Sequence, residues 1–216
     1  MPDFQFFIDG AESVPFAAAP MLSLKLRVEN RSPEERIHSI ALRAQIQIEA
    51  ARRRYSNSEM GKLVDLFGEP DRWSRTLRSM LWTHASVVIP AFTGAASVDL
   101  LVPCTFDFNV AATKYFHGIS TGEIPLNLLF SGTVFYAPGD AELFVAPIPW
   151  DKEARFLLPV EIWRQMMDHY YPNAAFLELP RESFERLYEY KMRNGIQSWA
   201  EAVERLLENA GEPVRR

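Results

Sequence analysis

Cys104 is the only thiol in the chain, in Val102-Pro-Cys-Thr-Phe106 between two apolar runs. A cysteine nucleophile needs a base and an orienting group beside it, so the fold would have to bring His84 or His117 to it. The competing reading is a small buried apolar filler. The four histidines, His38, His84, His117 and His169, are dispersed, and none belongs to a His-x-x-His or His-Glu-x-x-His pattern that would hold zinc. Asp107 and Asp151 are carboxylates available for acid-base work, but no pairing is visible. A Gly-rich phosphate loop, a Gly-x-Ser-x-Gly elbow and a Rossmann fingerprint are all missing from the text. These residues imply no cofactor and no metal, and they lean away from an enzyme.

Two stretches are better suited to contact than to catalysis. In Ala146-Pro-Ile-Pro-Trp-Asp-Lys-Glu-Ala154 the prolines hold the chain extended and Trp150 offers a large amphipathic ring beside Asp151, Lys152 and, just beyond, Arg155. Trp150 reads either as an anchor fixing the following helices to the body of the protein or as part of a partner-binding hot spot. From Arg43 to Arg78 there are eight basic and five acidic residues, including Arg52-Arg53-Arg54 and the triplet Arg72, Arg75 and Arg78. This excess is either a solvated face or a docking surface for an acidic partner.

The elements that would position these groups are mostly strands. Leu22, Leu24, Leu26 and Val28 alternate with Ser23, Lys25, Arg27 and Glu29, and Ile40 to Ile48 repeats the pattern after the charged turn Asn30 to Arg36. The two runs read as a leading hairpin. Further runs at 4–8, 82–90, 97–102, 105–112, 124–136 and 142–146 bring the count to about eight short strands, without the helix between each successive pair that a parallel sheet would need. Phe106, Phe108 and Val110 are taken as the apolar face of the 105–112 run.

Helical spacing appears in two places. Ser56-Asn-Ser-Glu59 is a capping box opening a helix that Gly68 stops, and residues 71–81 form a second short helix or a covering loop. From Pro159 onward, Trp163, Met166, Met167 and Tyr170 mark one helix, Arg181 to Asn194 a second, and Ser198-Trp-Ala-Glu201 caps a third. The expected architecture is therefore mainly β with α: an antiparallel two-sheet, immunoglobulin-like β-sandwich over 1–150 with a helical insertion near 56–81. Helices over 151–216 would pack on it. The rival is a partly open barrel.

The chain has 216 residues, 48% of them hydrophobic and 24% charged, the balance of an ordinary globular protein. A net charge of −5 argues against general nucleic-acid binding. The single cysteine fits a reducing compartment, and no apolar run approaches the roughly 20 residues that span a bilayer. A cytoplasmic protein without membrane insertion is expected, and a homo-oligomer is left open.

The combination of Leu26-Arg-Val-Glu-Asn30, Ile37-His-Ser-Ile40, Leu66-Phe-Gly-Glu-Pro70 with Trp73, Leu81-Trp-Thr-His84, Phe130-Ser-Gly-Thr-Val-Phe-Tyr136 and Pro149-Trp-Asp-Lys-Glu-Ala-Arg155, leading into Trp163 and Met166-Met-Asp168, resembles an uncharacterised bacterial family. It covers most of the chain, and its members look like companions of uptake nickel-iron hydrogenase gene clusters. The resemblance implies an accessory or assembly protein that binds a hydrogenase component, and it assigns no catalytic residue. Arg72, Arg75, Arg78, Trp150, Asp151, Lys152 and Arg155 are the residues expected to meet the partner. Two alternatives stand beside it: a small-ligand or carbohydrate-binding sandwich stacking its ligand on Trp73, Trp82 or Trp150, and a thiol-dependent enzyme using Cys104.

Overall fold

The computed structural model describes residues 2–32, 35–106, 109–138 and 142–211. Eight strands and seven α-helices follow one another along these residues. The strands are β1 (Phe4–Ser13), β2 (Met21–Asn30), β3 (Glu35–Ile48), β4 (Met80–Ile89), β5 (Ala95–Pro103), β6 (Glu123–Pro138), β7 (Phe144–Pro147) and β8 (Glu153–Pro159). The helices are α1 (Asn57–Lys62), α2 (Val64–Phe67), α3 (Trp73–Thr76), α4 (Val110–Gly118), α5 (Val160–Tyr170), α6 (Arg181–Arg193) and α7 (Trp199–Asn209). Two compact units result, Met1–Ala174 and Ala175–Arg216.

The first unit holds all the strands, in two antiparallel sheets. One has the order β1-β2-β5; the other has the order β4-β3-β6-β7, with β8 also paired to β6. Leu22, Leu24, Leu26 and Val28 of β2 and Ile40, Ala44, Ile46 and Ile48 of β3 are fully buried, which is what two inward-facing, period-two surfaces require. Phe6 of the first sheet stacks on Phe130 of the second with ring centroids 4.4 Å apart. The fold is thus a mainly β, open two-sheet sandwich, as the strand pattern predicts. In constant-type immunoglobulin domains the fourth strand joins the sheet of the first two; here β4 pairs with β3.

Three expectations change. The runs in β2 and β3 do not form a hairpin: β2 pairs with β1 and β5, whereas β3 pairs with β4 and β6. The chain crosses between sheets there, and the buried Asn30 organises the crossing, its Nδ2 donating to the carbonyls of Ser32 (2.9 Å) and Glu35 (3.1 Å). Pro33 and Glu34 of that turn lie outside the described residues.

The described residues of the 105–112 run are not a strand. Asn109 caps α4 by accepting from the Ala112 amide at 3.0 Å, so Val110 is helical; Asp107 and Phe108 lie outside the described residues. Finally, the capped helix after Ser56 is broken at Leu63 into α1 and α2.

Helices close one end of the sandwich. Phe116 of α4 packs against Trp82 of β4 (4.8 Å) and Trp163 of α5 (4.9 Å), and Met166 and Met167 are buried beside them. Those methionines are part of the core. Among the described residues no helix is long and apolar enough to cross a membrane.

The second unit is a helical hairpin of α6 and α7. Ser198 caps α7 by accepting from the Glu201 amide at 3.1 Å, as its sequence pattern predicts.

Candidate functional site

Strands β7 and β8 lie in line along β6. Strand β7 pairs with Thr133–Tyr136 and β8 with Glu123–Leu129, so together they form one edge of the larger sheet. Between them the backbone leaves the ladder. The Ile148 amide donates to Gly132 O on one side (2.9 Å), and Lys152 O accepts from the Phe130 amide on the other (2.9 Å). Pro149, Trp150 and Asp151 arch over the single β6 residue Ser131. This is a bulge pinned at both feet, the kind of irregularity that re-aims a side chain.

The re-aimed side chain is Trp150, 93% exposed. The anchor reading of Trp150 is therefore overturned. A tryptophan offers the largest apolar surface of any side chain, and leaving it in water on a braced loop forgoes burial of about 2 kcal/mol or more. Val145 and Leu157, on one face of the same edge, are each about half exposed, and so is Phe144 on the other face.

The polar neighbours divide this edge from the first sheet. Lys152 Nζ donates to Asp3 Oδ1 at 2.7 Å, and that bond holds the Asp3 carboxyl below the usual range. Arg155 pairs with Glu153 at 3.3 Å. Two open grooves run here between β1 and β8, of about 170 Å³ (walls including Arg31, Asp151 and Lys152) and 340 Å³ (walls including Asp9, Glu153 and Arg155). Small-molecule pockets span roughly 300–1,000 Å³ and enclose most of their ligand. These grooves are near or below that floor and shallow.

Structure separates the seven expected contact residues. Trp150, Asp151, Lys152 and Arg155 share the β7–β8 edge. Arg72, Arg75 and Arg78 sit on the connection leading into β4, at the opposite edge of that sheet with β3 and β6 between. All three are exposed, and the residue that fixes their segment is Trp73, buried with its indole N–H donating to Gly68 O at 2.8 Å. With Trp82 also buried, Trp150 alone of the three proposed stacking tryptophans is open to a ligand.

The triplet Arg52-Arg53-Arg54 is not one surface either. Arg53 turns inward and grips Glu59 with two nitrogens, at 3.1 and 3.0 Å, while also donating to the carbonyls of Thr121 and Glu123. Glu59 accepts in addition from the amides of Ser56 (2.9 Å) and Ser120 (2.8 Å), so the capping box doubles as a tie between α1 and the start of β6. Burial pushes the Glu59 carboxyl up, but the Arg53 hydrogen bonds, the two amides and the Arg53 charge outweigh it and hold it at about 2. Beside it Tyr55 and Tyr115 share a hydrogen bond of 2.8 Å, and burial pushes both phenols up. The capping-box spacing pointed to Ser56 and Glu59; nothing in the text marked Arg53 as the inward member of its triplet.

Cys104 is buried, donates to Val102 O at 3.4 Å, and is pushed up to about 12 by burial. A thiol so placed stays protonated near neutral pH, the reverse of what a nucleophile needs. His117 packs between Phe106 (5.7 Å) and Trp163 (5.0 Å), and burial, with the Arg164 charge, moves its titration down. Among the described residues no group of three or more His, Cys, Asp or Glu is placed to hold a metal ion.

An antiparallel two-sheet sandwich with peripheral helices, carrying its most exposed tryptophan on a pinned arch in an edge strand, is the class of protein in hand. The chain belongs to a family of unknown function, DUF6084, whose model matches residues 1–215. No curated protein matches it. Among solved structures it is similar to β-glucosidase 3B from Thermotoga neapolitana in complex with α-D-glucose, at 13% identity and a TM-score of 0.26, over 72% of this chain and 17% of the enzyme. A likeness that low bears on neither fold nor activity.

Proposed function

We propose that this chain is an accessory protein that binds another protein in the cytoplasm, without chemistry of its own, and that the β7–β8 edge is where it does so. The observation that carries the reading is Trp150, almost wholly exposed yet held by backbone hydrogen bonds at both feet of its arch. Interface energy concentrates in such pre-positioned aromatic and Arg side chains, because little ordering entropy is lost when they are buried. Val145 and Leu157 supply apolar flanks, and Arg155 and Lys152 supply a polar rim. The likeness to companions of uptake nickel-iron hydrogenase clusters makes a component of such a system the first partner to try.

The test is a pull-down with the tagged full chain from cells expressing the native gene neighbourhood, followed by titration of the recovered protein. Trp150→Ala should weaken binding at least tenfold, about 1.4 kcal/mol or more, while leaving the melting temperature unchanged. Recovery of no partner, or equal affinity of the variant, removes the reading. Arg72→Glu and Arg75→Glu, at the other edge, should leave the affinity as it is.

A further inference from the structure

On α6, Ser183, Arg186, Tyr190 and Arg193 follow one another at steps of three, four and three, so one stripe of the helix carries two guanidiniums and two hydroxyls. Phe184 and Tyr188 lie on another face of the helix and join it to α7 through Trp199, with ring centroids 5.3 and 6.2 Å apart. The stripe lines an open groove of about 420 Å³, whose apolar walls are the half-buried Leu187 and, from α7, Leu206. That volume falls inside the roughly 300–1,000 Å³ of ligand sites. Both guanidiniums are exposed, and among the described residues neither has a carboxylate partner, whereas Arg205 of α7 is held by Glu201 at 2.7 Å.

Arg186 and Arg193 are two turns apart, about 10.5 Å along the helix axis. Glu189, also in the groove wall, stands between them in the chain, so the charges along α6 there run positive, negative, positive. A uniformly acidic segment would meet Glu189, and one small anion would reach a single arginine. In an extended segment one face repeats about every 6.6 Å, so its acids fall at about 6.6 or 13 Å and miss the spacing. A helix with carboxylates seven residues apart and leucines on the turn between them matches both arginines, spares Glu189 and covers Leu187 and Leu206. We infer that the groove on α6 and α7 takes an amphipathic helix of a partner protein, recognised by two acidic side chains two turns apart. The groove does not depend on the β7–β8 edge.

Fluorescence anisotropy tests it, with the full chain and a fluorescein-labelled, alanine-based helical peptide of about 15 residues carrying glutamates seven apart with two leucines between. It should bind with a Kd of about 10–100 µM at low salt and weaken severalfold at about 0.15 M salt. Arg186→Gln with Arg193→Gln should weaken binding at least tenfold with an unchanged circular dichroism spectrum, since Gln forms helix nearly as well as Arg. Arg186→Glu with Arg193→Glu should abolish it. Arg181→Glu, outside the groove wall, should bind as the wild type does. A peptide with lysines in place of the glutamates should not bind. A wild type that leaves the glutamate peptide free overturns the inference. So does binding that survives the Gln pair, or that the lysine peptide equals.

Discussion

The tie between Arg53 and Glu59 makes a demanding prediction. Both side chains are nearly buried, at 10% and 5% exposure, and Arg53 is the cation that lets Glu59 stay ionised among apolar neighbours. Replacing Arg53 by Leu removes two charge-assisted hydrogen bonds and leaves a buried carboxylate held by two amides. Breaking a buried pair from one side costs about 3–5 kcal/mol. In the wild type Glu59 titrates at about 2 when folded, against an ordinary value of 4.5. A depressed folded value stabilises above the unfolded value, and that contribution fades as pH falls from about 4.5 to 2; the full gap corresponds to about 3 kcal/mol.

In Arg53→Leu the cation is gone and burial lifts the carboxyl toward or above its ordinary value. The variant therefore loses most at pH 7, and the difference from wild type shrinks as pH drops from about 5 toward 2, where Glu59 of the variant is already neutral. Urea unfolding of both proteins at pH 7, 5, 4 and 3, followed by tryptophan fluorescence, measures this. A loss under about 1 kcal/mol at pH 7, or a loss constant across the series, refutes the reasoning and makes the pair a surface one.

Two further predictions are simpler. At Gly132 φ is +147°, and a Cβ there would sit 2.1 Å from the Ala41 carbonyl oxygen on β3; Gly132→Ala should destabilise the fold by about 2–3 kcal/mol in the same urea assay, and a neutral result would mean the β3–β6 ladder parts easily. The Cys104 thiol should resist iodoacetamide at pH 8 in the folded protein and react in urea, as mass spectrometry would report; fast alkylation of the native state would reopen a role for the thiol.

How far the text predicted these features depended on range. The C-terminal helices were legible almost to the residue, because Gly195, the Ser198 cap and Gly211 are local signals that tertiary contacts do not override. Pairing was not legible for β2 and β3. Leu22 to Val28 and Ile40 to Ile48 alternate in the same way whether the strands bond to each other or face each other across a core, since both arrangements send every second residue inward. The Asn109 cap was missed because Phe106, Phe108 and Val110 also satisfy a period of two over so short a span. Arg53 was illegible for a similar reason: three consecutive arginines point in three directions, and only the fold decides which one meets a carboxylate. Trp150 was singled out from its setting, but whether it faced core or water depended on an arch of three residues that no periodicity announces.

That arch also bears on what the protein avoids. Without it, β7 and β8 would form one long uninterrupted edge carrying exposed apolar side chains on both faces, a template for strand-to-strand stacking of copy upon copy. Pro147 and Pro149 withhold two amides, the arch breaks the ladder, and Asp151, Lys152 and Glu153 put charge at the break. Shortening 148–152 to a straight strand should yield a chain that folds and then forms fibrous aggregates. Anything that recognises this edge must do so by reading the indole and its neighbours, because the backbone there refuses an added strand.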